Sequence, residues 1–453
     1  MNSFRRISPL VTLTASVLAY VVCASTAHAL VELGSGRITF RTTGTALYDS
    51  YLIGTADRGD DYVYTVSPQL SYNHLVGPTG LQLFGGYSIN RYQKHSRLDS
   101  NDFSGGISSN FPVYEGSRLS GRLSANYIEA TQIDPIVNDR VPTKSYQFSL
   151  SAGYRTGVKT TLSDSVNYNR SMREIYGNQT MWSNNLSFEY ADFLENTNLT
   201  LSHGYTRTKS TASNYSAWVV DPELLGIIPN SDIDQTGNTF NLGLTRPLYG
   251  SIIGNVTYGY MILSRGATET WQHSTSDKSQ VFGLNITGPL LPPRRFPKIE
   301  SSASISYSQA QSPGINDAGS KTVTGDIRLS WNARERTRLS TGLSRSQSLG
   351  TNNFTFISTG VNFGVIETIG LSTTISFDTS YTWRQYRGLD RQDTALSVGG
   401  NLQHALTNHW SIGGNVNYQD NQTDAPSGSF QATRYFLENY TRYTASGYIT
   451  FSY

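Results

Sequence analysis

Polar and apolar residues alternate with period two along almost the whole chain. In Ser117–Ile128, Leu119, Gly121, Leu123, Ala125 and Tyr127 share one face, and Arg118, Ser120, Arg122, Ser124 and Asn126 share the other. In Leu371–Arg384 one face carries Leu371, Ile375, Phe377, Tyr381 and Trp383, the other Ser372, Ser376, Asp378, Ser380 and Arg384. The same split recurs at Tyr146–Arg155, Ile299–Ser308, Val323–Trp331 and Trp410–Tyr418. Successive side chains of a strand point to opposite sides, so this pattern predicts half-buried β-strands. A soluble sandwich also alternates, but its inner face is packed with large aliphatics. Here the apolar face accepts Gly, Ala and Thr freely and puts Tyr, Phe or Trp near strand ends, as lipid-facing strands do.

The links give an independent sign. Long polar links are expected at about 49–60, 94–101, 131–142, 209–235, 265–276, 311–320 and 421–439, with short ones such as Thr156–Lys159, Asp192–Glu195 and Leu248–Gly250 between them. Long loops on one side and short turns on the other characterise outer-membrane barrels. Counting strands from Arg37 to Tyr453 gives about 20, within a range of 18–22. The expected fold is all-β: a closed antiparallel transmembrane β-barrel with short periplasmic turns and long extracellular loops. Lipid offers no partner to an open strand edge, so the sheet must close. About 20 strands spaced about 4.8 Å apart and tilted about 40° enclose roughly 40 Å, too wide for the wall's own side chains to fill.

The two ends of the chain set its compartment. Arg5 and Arg6 precede an apolar run from about Pro9 to Val22, and Ala27-His28-Ala29 follows. This reads as a secretory signal peptide over 1–29, cleaved after Ala29, with the barrel over 30–453. The run is too short for a spanning helix. Expected location is therefore the outer membrane of a Gram-negative bacterium, among outer-membrane lipid and lipopolysaccharide. At the other end Tyr443, Ala445, Gly447, Ile449, Phe451 and Tyr453 share a face. Ile449, Phe451 and the closing Tyr453 resemble the C-terminal signal read by the β-barrel assembly machinery, an expected partner.

Composition agrees. Only 37% of residues are hydrophobic, yet there are 29 Tyr and 41 Gly; disordered chains are poor in aromatics. Without Arg5 and Arg6 the net charge of +2 falls to zero, so nothing suggests nucleic-acid binding. Cys23, the one cysteine, lies in the leader, which excludes disulfides and thiolate chemistry from the mature chain. Strand pattern begins at about Arg37, leaving no room for an N-terminal plug domain.

Catalytic groups are not evident. His74, His404 and His409 fall near short turns, His95 and His273 in long links, and His203 on a strand face beside Leu201 and Tyr205. No Ser, His and Asp converge by register and no metal-binding spacing occurs, so no enzyme activity, metal or cofactor is expected. The strand alternation points Arg37, Arg41, Arg118, Arg122, Arg155, Arg328, Arg338 and Arg384 inward, with Glu300, Asp326 and Asp378. Such a mixed-charge wall, rich in hydroxyls and amides, suits hydrated solutes such as sugars. Any water-filled lumen is also polar, whatever passes through it. The link 209–235 contains Trp218, Leu224, Leu225, Ile227 and Ile228. So apolar a loop is expected either to fold into the lumen as a constriction or to dock on the rim or a neighbouring subunit. Gly288–Pro297, stiff and basic, is expected on the periplasmic side.

Thr45-Ala46-Leu47-Tyr48-Asp49-Ser50, a polar loop, and then Asp60-Asp61-Tyr62-Val63-Tyr64-Thr65-Val66-Ser67-Pro68-Gln69-Leu70-Ser71-Tyr72 form a distinctive opening. This stretch resembles the first hairpin of the putative β-barrel porin 2 family, outer-membrane proteins that often occur among exopolysaccharide biosynthesis and export functions. The resemblance implies a porin-like channel, a polysaccharide exit port with periplasmic export components as partners, and no catalytic residues. Three functions stay open at this point: a channel for hydrophilic solutes, a non-conducting surface barrel for adhesion or scaffolding, and an outer-membrane enzyme.

Overall fold

The computed structural model describes residues 31–52, 60–76, 79–112, 116–134, 139–173, 177–211, 233–266, 275–289, 298–311, 320–349, 355–386, 391–424 and 439–453. The expected leader 1–29, the apolar part of the link 209–235, and 290–297 lie outside them. Val31–Leu33 (β1) and Gly36–Asp49 (β2) form the first hairpin. Next come Asp61–Val76 (β3), Thr79–Tyr92 (β4), Ser100–Phe111 (β5), Leu119–Asp134 (β6), Asp139–Arg155 (β7) and Thr160–Arg173 (β8). The middle of the chain forms Gly177–Leu194 (β9), Thr197–Ser210 (β10), Ile233–Tyr249 (β11), Ile252–Arg265 (β12), Thr275–Gly288 (β13) and Ile299–Gln311 (β14). Ser320–Arg334 (β15), Thr337–Leu349 (β16), Thr355–Ile369 (β17), Thr373–Tyr386 (β18), Gln392–Ala405 (β19), Trp410–Thr423 (β20) and Tyr440–Ser452 (β21) complete it.

Each strand pairs antiparallel with the next, and β2 also pairs with β21, from Arg41 with Ser452 to Asp49 with Thr444. That seam closes a wall of twenty strands, β2 to β21. The short β1 lies on the edge of β2 that β21 occupies higher up, continuing the ladder where β21 stops. There Phe40 and Tyr453 exchange two backbone hydrogen bonds of 2.9 Å. Every backbone edge along the seam is thus paired, as a wall standing in lipid requires.

Strand direction puts Val31 and Tyr453 at one end of the barrel, here the terminal end; the opposite end is the loop end. Tight two-residue turns at the terminal end include Glu195-Asn196, with Asn196 at φ 56°, and Gly250-Ser251, with Gly250 at φ 57°. Such turns take positive φ because their twist then matches that of the flanking strands. Two expected boundaries move. The link expected at 131–142 shrinks to 135–138, because β6 and β7 stay paired out to Asp134 and Asp139; polar residues continue a ladder in water as readily as apolar ones. Leu371, expected in a strand, sits 97% exposed in the turn before β18.

Following cross-strand neighbours shows the two faces of the wall. From Ser304 the path runs through Asp326, Ser344, Gly360 and Thr382, then Ala395, Asn421 and Tyr440, and crosses the seam onto the face of β2 that carries Asp49. One face is mainly polar, with scattered apolar residues such as Val63, Phe84 and Met181. The other carries Leu83, Phe240, Val256, Phe282, Ile305 and Phe377, all exposed. Aromatic rings cluster on it: Tyr87, Phe103, Tyr127 and Tyr146 form a row with successive ring separations of 6.4, 6.1 and 5.0 Å. Others, such as Tyr258 and Phe282 at 4.9 Å, sit mid-strand. Among the described residues the buried hydrophobics are only Val63, Leu98, Val141 and Phe451. A water-soluble chain of this size buries far more; here the apolar residues face outward, toward lipid, and the polar face lines the interior. Asp164 is an exception on the outer face, held by the Asn184 amide at 2.7 Å.

Candidate functional site

The polar inner face is the candidate site, and its residues satisfy one another across the strands. Thr39 and Ser71 hydroxyls lie 2.6 Å apart, Ser124 and Ser149 2.6 Å, Ser306 and Thr324 2.7 Å. Asn255 donates to Thr245 at 2.7 Å and Ser304 to Asp326 at 2.5 Å. Side chains directly opposite in antiparallel strands are close enough for such bonds, which is why hydroxyls and amides recur here.

At the loop end the wall is acidic, and its carboxylates are engaged. Asp49, 1% exposed, takes the Arg442 guanidinium through both oxygens, at 3.0 and 2.5 Å, and the Tyr51 amide at 3.0 Å. Asp49 is on β2 and Arg442 on β21, so this pair ties the seam. Stacked Tyr51 and Tyr440 rings, 5.0 Å apart, lie over it. Asp61, fully buried, accepts from the Tyr62, Lys94 and His95 amides at 2.7, 2.9 and 3.0 Å and lies 2.9 Å from His95 Nδ1. It therefore pins the segment after β4, where Ser96–Leu98 forms a 3-10 turn with Leu98 1% exposed. Asp393 takes a bidentate pair from Arg391 at 2.9 and 2.7 Å and the Tyr386 hydroxyl at 2.8 Å, with Arg391 over the Tyr386 ring. Outside the strands, Lys94 donates to Asp60 at 2.5 Å, which holds the Asp60 carboxyl below, and the Lys94 ammonium above, their ordinary values.

The terminal end differs. Arg37 and Arg41 line a cavity of about 780 Å³ with Thr39, Gln69, Ser71, Gln82, Phe84, Asn408, His409, Ser452 and Tyr453, also touching Phe40; no Asp or Glu is among them. Gly106 leaves room for the Phe84 ring, since a Cβ there would come within 2.7 Å of it.

By register Arg37, Arg41, Arg122, Arg155, Arg328, Arg338 and Arg384 share the polar face with Asp326 and Asp378, while Arg118 stands just before β6. Arg328 meets Asp326 at 2.9 Å, Arg338 donates to Ser330 at 2.8 Å, and Arg384 lies opposite Asp393. These residues form no single centre; they are spread around the wall. Trp218, Leu224, Leu225, Ile227 and Ile228 lie outside the described residues. Ile449, Phe451 and Tyr453 stand on the outer face, Phe451 packed on Trp410 at 4.7 Å and Tyr453 stacked on His409 at 4.6 Å. His404 is bound to Thr373 at 2.7 Å, apart from His409. Among the described residues no group of three or more His, Cys, Asp and Glu is placed to hold a metal ion. Sequence reading missed the pairs Asp49–Arg442, Asp61–His95 and Asp393–Arg391. The Asp-Asp doublet at 60–61 and the Tyr-Asp of the first strand end were visible, but not their partners.

The family described as Putative beta-barrel porin 2 matches this chain over residues 304–442. That stretch runs from β14 into β21 and does not include Thr45–Tyr72, the opening that resembles the family's first hairpin. No curated protein is similar to the chain in sequence. Solved structures share the fold. The FrpB iron transporter of Neisseria meningitidis, F5-1 variant apoprotein, has a TM-score of 0.58 at 9% identity, over 92% of this chain and 81% of that one. The unliganded ferric citrate transporter FecA gives 0.57 at 10%, over 92% and 78%. The siderophore receptor PiuA of Acinetobacter baumannii gives 0.53 at 10%, over 94% and 82%. At such identity the likeness is one of architecture: a large closed antiparallel β-barrel.

Proposed function

We propose that the protein is a porin-like outer-membrane channel for hydrophilic solutes, with saccharides, including exopolysaccharide in export, as the solute class. The observation that carries the reading is the polar inner face, continuous around twenty strands and enclosing a width that side chains cannot fill. Hydroxyl and amide pairs on that face offer the alternating donors and acceptors that hydrated, hydroxyl-rich solutes exchange with water. The terminal end then faces the periplasm, with the leader removed after Ala29, and the loop end faces outside. The assembly machinery, lipopolysaccharide and periplasmic export components are its partners on this reading.

Planar bilayers test it. Purified, folded barrel is expected to give stepwise conductance that neutral oligosaccharides reduce on entry. Folded protein that inserts yet passes no current, and takes up no sugar in liposome swelling, overturns the channel in favour of a non-conducting surface barrel.

A further inference from the structure

We infer that the terminal-end half of the lumen, along β2 to β7, carries a binding track for an acidic saccharide chain, one bearing carboxylate, sulfate or phosphate groups. This rests on the channel reading above and narrows its solute. The five arginines of this arc are Arg37 and Arg41 on β2, Arg118 just before β6, Arg122 on β6 and Arg155 on β7. None of the five has a side-chain hydrogen bond or an ion pair within the described residues. Asp49 and Asp61 on these strands sit at the loop end, already engaged, and the described terminal half of the inner face of β2 to β7 holds no Asp or Glu; Glu32 on β1 stands opposite Arg37 by register without closing an ion pair to it, and Arg41 has no carboxylate across either ladder. Elsewhere on the wall Arg328 pairs with Asp326, Arg384 lies across from Asp393, and Arg338 donates to Ser330.

The unpaired state of these arginines is informative. Guanidinium groups favour bidentate bonds to carboxylates and phosphates, and arginines that close no ion pair on a water-facing wall stay available to an anionic ligand. Like charges gathered on one side of a low-dielectric wall concentrate counter-ions there. Arg37 and Arg41 are four residues apart on one strand, so about 13 Å separates their Cα atoms. They cannot share one small anion; they suit an extended ligand with repeated charges. The rest of the cavity selects for sugar over bare polyphosphate. Gln69, Gln82 and Asn408 supply amides, Thr39, Ser71 and Ser452 hydroxyls, and Phe84 an aromatic ring. Its volume of about 780 Å³ falls in the range of ordinary ligand sites.

The test uses the folded full-length barrel in detergent and in bilayers, with two probes of equal length: a galacturonic acid hexamer and maltohexaose. Calorimetry is expected to show the acidic hexamer binding at least tenfold more tightly than the neutral one, with a steep loss in high salt. The double variant Arg37→Gln/Arg41→Gln should remove that preference, while its heat-modifiable mobility stays that of the parent. Phe84→Ala should weaken both hexamers by a similar, smaller factor. In bilayers the acidic hexamer should block current more strongly from the terminal side, and the double variant should shift the reversal potential in a KCl gradient toward cations. Sulfated and phosphorylated oligosaccharides then rank the anionic groups. Equal binding of both hexamers, or an acidic preference that survives the double variant, overturns the track. Current without charge preference leaves the channel standing and removes the track. Charge-selective binding without current leaves the track and removes the channel.

Discussion

The two ends of the lumen handle charge in opposite ways. At the loop end the ionised groups are partnered and largely buried: Asp49 with Arg442, Asp61 beneath His95, Asp393 with Arg391. At the terminal end Arg37 and Arg41 line an open cavity and neither closes an ion pair, although Glu32 stands opposite Arg37 by register. Buried charges without partners are prohibitively costly, so the paired set must be structural whatever else it does. Water-exposed charges cost little to leave unpaired, and they remain available to a ligand. One end of the wall holds the barrel shut and its rim in place; the other presents chemistry to whatever enters.

The largest effect that tests this contrast is expected at the seam. Asp49→Ala leaves Arg442 half-buried without its carboxylate and loosens β2 from β21 at the loop end. Breaking a buried pair costs about 3–5 kcal/mol, and because the Arg442 side chain keeps 39% of its exposure we expect the lower end of that range. Thermal unfolding followed by heat-modifiable mobility reads it. A melting temperature within experimental error of the parent would remove the seam role. Arg37→Gln/Arg41→Gln, by contrast, should change stability by no more than about 0.5 kcal/mol, as surface substitutions do. If the two variants destabilised alike, the two ends would not differ in kind.

A smaller, local effect is expected at Asp61. Removing its carboxylate leaves the Lys94 and His95 amides and the His95 ring without their acceptor, a loss of about 2 kcal/mol borne mainly by the 93–99 segment. Hydrogen exchange should show those amides losing protection in Asp61→Ala while the amides of β5 keep theirs. Asp61→Asn, which retains one acceptor oxygen, should fall between. Uniform loss of protection along the neighbouring strands would mean that Asp61 supports the wall and not the rim.

Much of this was legible in the alternation. The period of two, the short turns and the aromatic end of the chain point to the class and the strand number, because each is a local consequence of sequence. The faces of Arg122, Arg155 and Asp326 follow from the same parity. What parity cannot carry is pairing between distant strands. Asp49 and Arg442 are 393 positions apart and meet only because the sheet closes. Asp61 and His95, on either side of a hairpin, meet only because the segment after β4 turns back over it. The mixed-charge wall expected from sequence is more ordered than that description. Its carboxylates on β2 to β7 collect at one end and its free arginines at the other, a distribution that depends on knowing which residues share a height. The link 131–142 was misjudged because polarity was taken as the end of a strand, whereas these strands stay paired beyond the apolar band.

The smallest expected effect is also the one that water governs. Lys94 and Asp60 lie 2.5 Å apart at the rim, both well exposed. The hydrogen bond from Lys94 holds the Asp60 carboxyl below its ordinary value of 3.8, and the bond to Asp60 holds Lys94 above 10.5. Asp60 therefore contributes rim stability that is present above the ordinary carboxylate value and is lost as pH falls through the lowered one. Lys94 contributes stability that is present below its ordinary value and is lost as pH rises through the raised one. Between those limits the contribution is flat. Exposed pairs are weak and screened by salt, so the change should be visible only locally, as exchange protection of the Lys94 and His95 amides. Lys94→Ala should lower that protection slightly at neutral pH and erase the part of its acid loss that comes from Asp60. Raising the salt concentration should mimic Lys94→Ala while leaving the Asp49–Arg442 seam untouched, because only the rim pair stands in water. A seam as salt-sensitive as the rim would place both pairs in solvent and erase the distinction between the structural and the presented charges.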